Sequence, residues 1–284
     1  MIGRQPVDAL KRAGSLARRA ALTVVLCMVL APSASQGDPM EQPYPGHPAA
    51  IGSPANGCLI GAESMPLTGL GWDVMRPARN RNWGHPAMIR FLTDMGERMY
   101  ARKLGTLLLG DISQPRGGRF LPGHGSHQNG LDADIFFRLG TRTLSPEERA
   151  LPDMTPVVDG HNQLAPEHWG AAQTEMLRLL AEDPRVERIF VGAAVKRGLC
   201  QQVQGDKSWL HKVRPWWGHR EHLHVRITCP ADSPSCLPGP AIPAGDGCGS
   251  ELDWWFTDEA KTKIRSAEHS QPIPAQCRGI VRAE

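Results

Sequence analysis

The chain has 284 residues, with 32 Lys and Arg against 29 Asp and Glu and a formal net charge of +3 at pH 7. Five basic residues and one acidic residue lie within residues 1–36, so the remainder has a formal net charge of −1. Because the chain after residue 36 is nearly neutral, it has no electrostatic basis for binding nucleic acid. The length of the whole chain suits one large domain or two small ones.

Residues 1–36 have the order of a secretory signal peptide, with basic residues, then an apolar run over residues 20–31, then small residues. Twelve residues are too few to span a bilayer comfortably, which disfavours the alternative of a membrane anchor. A lipid anchor at Cys27 is disfavoured further, because the two residues before it lack the small side chains that such a site requires. We therefore expect an exported protein without a stable membrane anchor, and Arg18-Arg19 leaves the export route open.

The cysteines agree with export. Beyond the predicted signal peptide the chain has six cysteines and no Cys-x-x-Cys pair. An even number in an exported chain predicts three disulfides, and spacing alone leaves fifteen pairings open. A zinc finger is disfavoured because the oxidising compartment favours disulfides.

The first half of the mature chain predicts one helix and one strand after an irregular start. Residues 37–57 are rich in Pro and Gly and predict little regular structure. Apolar residues three and four apart predict a helix that begins at His85-Pro86 and ends near Gly105. Residues 106–110 then predict a buried strand.

The second half adds a helix and a strand. Residues 140–165 predict a loop, residues 166–182 a helix that Pro184 ends, and residues 186–191 a strand. After Cys229 the composition predicts little regular structure. The whole predicts one α+β domain over residues 37–284, with a small antiparallel sheet flanked by helices and loops and stapled by disulfides.

Metal-binding side chains are concentrated in residues 122–137. His124 and His127 lie in a Gly-rich loop, and Asp132 and Asp134 follow in a strand-like run. In a strand, residues i and i+2 share a face, so the two aspartates project together while the alternate apolar residues project toward a core.

A second cluster, residues 216–227, follows about 90 residues later and places His222 and His224 on one strand face by the same rule. Two neighbouring strands would bring imidazoles and carboxylates together. Two His and one Asp suit Zn²⁺, and three protein ligands leave a fourth position for the water of a hydrolase. Spacing does not decide whether Asp132 or Asp134 is the carboxylate ligand.

These motifs together resemble one family. They are Gly118-Arg119-Phe120, His124-Gly125-Ser126-His127, Gly130-Leu131-Asp132-Ala133-Asp134, Arg214-Pro215-Trp216, His219 through His224 with Val225-Arg226, and Cys229-Pro230. They closely resemble the penicillin-insensitive murein endopeptidases, which are periplasmic zinc peptidases of the superfamily that includes lysostaphin, the D-Ala-D-Ala peptidases and the hedgehog domain. The likeness runs from residue 56 to residue 277.

By position, the resemblance implies that His127, Asp134 and His224 bind one catalytic zinc ion. It implies that His222 is the general base that takes a proton from the attacking water. Asp132 is then interpreted as a group that orients a histidine rather than as a ligand.

Further residues match the family's site. The resemblance implies that His124 approaches a metal and that His219 stabilises the transition state. Some family members have a second metal position, but in the segment 159–162 the histidine is displaced by one, so only Asp159 matches it. The chemistry of Arg119 suggests a bidentate pair with a substrate carboxylate.

The resemblance also implies a disulfide pairing and leaves the aromatic residues open. The pairs would be Cys58 with Cys277, Cys200 with Cys248, and Cys229 with Cys236. Trp216-Trp217 either lines a substrate groove or packs against the sheet, and Trp254-Trp255 is interpreted as packing.

The implied function is periplasmic zinc hydrolysis of the D-alanyl to meso-diaminopimelyl cross-link between peptidoglycan stem peptides. No Ser-x-x-Lys occurs, so β-lactams would find no nucleophile to acylate. The alternatives are a D,D-carboxypeptidase on the same site and a zinc-bearing cell-wall binding module without turnover, which the hedgehog relatives show that the scaffold permits. His219 and His222 beside the three ligands favour catalysis, since binding alone needs no base.

Overall fold

Eleven strands and six α-helices lie within residues 39–119, 125–262 and 272–281, which are the residues that the computed structural model describes. The strands are β1 Ala49–Ser53, β2 Asn56–Ile60, β3 Glu63–Ser64, β4 Thr68–Gly69, β5 Trp72–Val74, β6 Trp83–Gly84, β7 Leu107–Leu109, β8 Asp132–Phe136, β9 Val186–Val191, β10 Val213–Pro215 and β11 His222–Ile227. The α-helices are α1 Pro86–Ala101, α2 Pro146–Ala150, α3 Ala171–Glu182, α4 Ala193–Gln202, α5 Ser250–Asp253 and α6 Asp258–Thr262. The predicted signal peptide and His124 lie outside the described residues.

A seven-stranded sheet carries both predicted site strands. Its order over the described residues is β10-β9-β11-β8-β7-β5-β4. The central strands β9, β11, β8 and β7 pair antiparallel, whereas β10 with β9 and β5 with β7 are parallel. The α+β, single-domain class is confirmed, and the sheet is wider than expected because β4, β5 and β10 are too short for hydrophobic periodicity to mark them.

The two faces of the central strands differ in chemistry, as the period of two predicts. The apolar residues that alternate along β8 and β11 are buried in the main core, which they share with residues of α1 and α3: Leu131, Ala133, Ile135, Leu223 and Val225. The polar residues of the same strands therefore share the opposite face. One face of the sheet holds the fold together, and the other carries the chemistry.

Helix α1 begins at the predicted proline. His85 is its N-cap, and the Nδ1 atom of that buried ring accepts a hydrogen bond from the backbone N–H of Ala87 at 3.1 Å. Pro86 suits the first turn because its missing N–H would have no partner there. The helix ends at Ala101, earlier than predicted, and Lys103 just beyond it has a φ of 55°, which is incompatible with continued helix.

Two loop predictions were wrong. Residues 49–57, which lie in the segment predicted to have little regular structure, belong to the hairpin of β1 and β2. The predicted loop 140–165 contains α2, where the Ser145 hydroxyl accepts from the N–H of Glu148 and the Glu148 carboxylate accepts from the N–H of Ser145. The sequence contains the Ser-x-x-Glu motif that indicates such a capping box.

The helices in the second half differ from prediction in their bounds and number. Helix α3 begins at Ala171 rather than at residue 166, because Gly170 is its N-cap, and it ends at Glu182, just before Pro184 as predicted. Strand β9 has the predicted bounds. Helix α4 was not predicted, because its ten residues offer only two to three turns of periodicity.

Three disulfides connect the pairs that the family resemblance implies. They are Cys58–Cys277, Cys200–Cys248 and Cys229–Cys236, with Cα–Cα distances of 5.6, 5.7 and 5.8 Å. Cys58 and Cys277 are fully buried and pack with Ile51 and Ile280 in a small separate core. Within the described ranges, no helix has both the length and the apolar character that a membrane crossing requires.

Replacing both cysteines of Cys58–Cys277 by serine should lower the free energy of unfolding by about 2–5 kcal/mol. This bridge links residues 219 apart, so it restricts the unfolded chain more than Cys229–Cys236, whose separation is 7. The loop-entropy model puts the difference between the two bridges at about 3 kcal/mol. Denaturant unfolding of the two double variants measures it, and equal losses would contradict the entropic account.

Candidate metal centre

The candidate centre lies where β8 pairs with β11. In the antiparallel register His224 is directly opposite Asp134, and His222 is opposite Phe136. Asp132 is opposite Arg226 rather than a histidine. Two strands far apart in sequence thus bring one carboxylate and two imidazoles to the same sheet face.

His127, Asp134 and His224 form a buried group whose ligand atoms lie within 4.8 Å of one another, and it is the one such group within the described ranges. His127 Nε2 lies 3.3 Å and His224 Nδ1 3.7 Å from Asp134 Oδ1. Donors held tetrahedrally at the 2.0–2.1 Å typical of zinc lie about 3.3–3.4 Å apart. The group could therefore bind a metal ion, and two imidazoles with one carboxylate are donors of the kind that zinc binds.

His127 is fixed by its backbone and by its second ring nitrogen. Its φ is 69°, a left-handed conformation that a non-glycine residue adopts at a cost. Its N–H donates to Asp132 Oδ2 at 3.0 Å, and its carbonyl accepts from the Ser113 hydroxyl at 2.7 Å. Its Nδ1 lies 2.8 Å from the Ile112 carbonyl, which can only accept, so Nδ1 carries the proton. The other nitrogen, Nε2, is left to face Asp134.

Asp132 lies behind the candidate ligands. It accepts from Arg226 Nε at 2.7 Å and Nη2 at 3.3 Å, and its Oδ1 lies 3.2 Å from His224 Nε2. Burial raises the pKa of Asp132, but Arg226 and then His224 outweigh burial and hold that pKa well below its usual range. An ionised carboxylate at His224 Nε2 leaves Nδ1 as the atom on the ligand side, which is the arrangement expected of an orienting group.

The ligand candidates favour opposite protonation states before any metal binds. Burial lowers the pKa of His127, but Asp134 outweighs it and raises that pKa to about 9. Burial lowers the pKa of His224 to about 4, against the opposing charge of Asp132. A metal bound by His127 and Asp134 would take the place of the proton that they share, so its binding would release a proton.

His219 and His222 lie at the open side of the group. The His222 side chain is 21% exposed, and its Nε2 is 3.8 Å from Asp134 Oδ1. The His219 ring lies 5.0 Å from that of His222, and its Nδ1 donates to the Trp217 carbonyl at 2.8 Å. His219 has a φ of 53°, and burial, followed by the charges of His224 and His222, lowers its pKa to about 3.

A pocket of about 530 Å³ opens beside these histidines. Trp216 and Trp217 line it together with His219, His222 and His224. The Trp216 ring also packs 5.1 Å from that of Phe190 in β9, so the pair both lines a pocket and contacts the sheet. Trp254 and Trp255 pack behind that pair, as expected. A larger groove of about 1120 Å³ lies elsewhere, and none of the predicted site residues is among the described residues that line it.

Two predicted site residues, Arg119 and Asp159, are not among the three whose ligand atoms converge. Arg119 lines a separate cavity of about 550 Å³ with Arg79 and Arg116. Asp159 Oδ1 accepts from the backbone N–H of His161 at 2.8 Å and of Gln163 at 2.9 Å, so it caps its own loop.

Phe190 and Arg226 contribute to the centre and were not predicted. Phe190 lies opposite His224 in the register of β9 with β11, with ring centroids 5.4 Å apart at an interplanar angle of 89°. Arg226 follows His222 and His224 at the same period of two, which is the signal that could have placed it on this face.

The family model described as penicillin-insensitive murein endopeptidase matches residues 50–282. The chain belongs to this family. The match spans every element of the candidate centre, from His127 to Arg226. The identification from sequence motifs is therefore confirmed.

Individual members of the penicillin-insensitive murein endopeptidase family agree with the match. The protein of this name from Haemophilus influenzae is 44% identical over 249 residues, which cover 86% of this chain and 87% of the relative. That from Yersinia enterocolitica is 41% identical over 244 residues, covering 85% and 88%. That from Salmonella arizonae is 40% identical over 245 residues, covering 85% and 89%.

Proposed function

We propose that this family member is a periplasmic zinc endopeptidase that hydrolyses the D-alanyl to meso-diaminopimelyl cross-links of peptidoglycan and is insensitive to β-lactams. The observation that carries the proposal is the buried group of His127, Asp134 and His224, which opens onto a pocket with two further histidines. Family membership supports murein as the substrate, the donor set supports zinc, and the predicted signal peptide supports the periplasm.

His127, Asp134 and His224 would hold the zinc ion, which when bound would polarise the substrate carbonyl and supply an acidified water. The protein prepares this ligand set in advance. The Ile112 carbonyl fixes the tautomer of His127, and Asp132 faces the outer nitrogen of His224. Because both rings are held from behind, little reorganisation is needed when the ion binds.

His222 acts as the general base. It is partly exposed and lines the pocket, so it can accept a proton from the attacking water and return it to the leaving amine. His219 presents Nε2 to the pocket, since Nδ1 is engaged by Trp217. Negative charge that develops on the substrate oxygen favours the protonated form of His219, so Nε2 takes up a proton from pocket water and donates a hydrogen bond to that oxygen.

Purified mature protein should convert cross-linked muropeptide dimers to monomers, as followed by chromatography. A chelator should stop the reaction, zinc should restore it, and benzylpenicillin should leave the rate unchanged. Dimers that survive intact with zinc present would favour a binding module without turnover. Release of terminal D-alanine without loss of dimers would identify a D,D-carboxypeptidase instead.

A further inference from the structure

A row of aromatic rings leads from the candidate centre along the pocket. The ring centroids of His224 and Phe190 are 5.4 Å apart, those of Phe190 and Trp216 are 5.1 Å apart, and those of Trp216 and Trp217 are 5.3 Å apart. Trp216 and Trp217 line the pocket and are partly exposed. We call Trp216 and Trp217 the aromatic wall of the pocket. The mechanism proposed above uses the histidines and gives this wall no role.

Packing and a hydrogen bond hold the two rings of the wall in place. Trp255 packs 4.5 Å from Trp217 and 6.2 Å from Trp216, measured between ring centroids. The Trp217 indole N–H donates to the Ala260 carbonyl at 2.9 Å. The supporting residues follow Cys248, which the Cys200–Cys248 disulfide ties to α4. Rings held in this way lose little conformational freedom when a ligand covers them, so their burial contributes more fully to affinity.

We propose that Trp216 and Trp217 form a saccharide subsite, which holds a pyranose ring of the glycan strand that carries the scissile stem peptide. The inference rests on the proposed function, because the glycan is the part of peptidoglycan that the peptidase chemistry does not need. A pyranose ring has a flat face of C–H groups that can cover an indole, with hydroxyls at its edge for solvent. The methyl group of an alanine is too small to cover an indole.

The tryptophan pair lies within reach of the far end of a stem peptide held at the centre. The centroid distances between successive rings of the row are 5.1 to 5.4 Å. The three distances from His224 to Trp217 therefore place these two rings at most about 16 Å apart. An extended peptide spans about 3.3–3.6 Å per residue, so a stem of four residues spans about 14 Å. With the scissile bond at the centre, the sugar at the other end of the stem reaches the wall.

Binding of an uncross-linked disaccharide tetrapeptide and of the same tetrapeptide without sugar tests the subsite by calorimetry. We expect the full-length mature protein to bind the disaccharide form at least about tenfold more tightly. Trp217→Leu should remove that preference, so that the two ligands bind with similar affinity. Trp217→Tyr, which keeps a ring face, should retain part of it.

Trp83→Leu is the matched control, since Trp83 is a partly exposed tryptophan that is not among the described residues lining the pocket. It should leave the preference for the disaccharide form intact. Equal affinities of the unaltered protein for the two ligands would overturn the subsite, as would a preference that persists in Trp217→Leu. The measurement needs no cleavage, so a protein that binds the sugar but leaves dimers uncut would refute the proposed hydrolysis and not the subsite.

Discussion

Replacing His222 by alanine is expected to lower the turnover of cross-linked muropeptide dimers by about 10²–10⁴-fold, with the bound metal retained. His222 is not one of the three buried residues whose ligand atoms converge, and its partly exposed ring faces the pocket. Its loss therefore removes a proton acceptor and leaves the ligand set in place. Dimer cleavage rates and elemental analysis of the purified variant measure the two effects.

His224→Ala is the matched control, because His224 lies two residues further along the same face of β11. This variant should lose both the metal and the activity, since it removes a buried donor. The reverse pattern, with metal lost from His222→Ala and kept in His224→Ala, would mean that the base and the ligand are exchanged.

Asp132→Ala should lower the free energy of unfolding of the metal-free protein by about 3–5 kcal/mol, because it leaves the buried Arg226 guanidinium without its carboxylate. It should also weaken metal binding by about 10–100-fold, since His224 Nε2 loses the group that faces it. Denaturant unfolding gives the first quantity, and competition with a chromophoric chelator gives the second.

The double variant Asp132→Leu with Arg226→Met separates these two roles. It removes both charges and replaces them with apolar side chains, so much of the lost stability should return. The metal affinity should stay low, because no carboxylate orients His224. If the double variant also regains full metal affinity, Asp132 acts only by neutralising Arg226.

The sequence predicted the chemistry of each strand and that the two strands would be neighbours, but not the register between them. The period of two placed Asp132 with Asp134 and His222 with His224, and both pairs do share one face. The choice of Asp134 over Asp132 came only from the family resemblance. The structure supplies its physical reason, since Asp134 is opposite His224 while Asp132 is opposite Arg226. Register depends on contacts between residues about 90 positions apart, which no local pattern encodes.

The elements that escaped prediction are short or lack a local signal. Strands β5 and β10 have three residues each, and helix α4 has ten. Phe190 belongs to a correctly predicted strand, yet its place beside His224 follows from the pairing of β9 with β11. Periodicity assigns a residue to a face, whereas its neighbours across the sheet are set by tertiary structure.

The pairing of β8 with β11 also bears on how the chain avoids misfolding. Sliding either strand by one position would point Ala133 or Val225 at the centre and turn the charged side chains toward the apolar layer against α1 and α3. Two unpaired carboxylates in that layer would be prohibitively costly. A cation that needs donors from both strands binds only the correctly aligned sheet, so metal uptake would stabilise that one alignment over its neighbours.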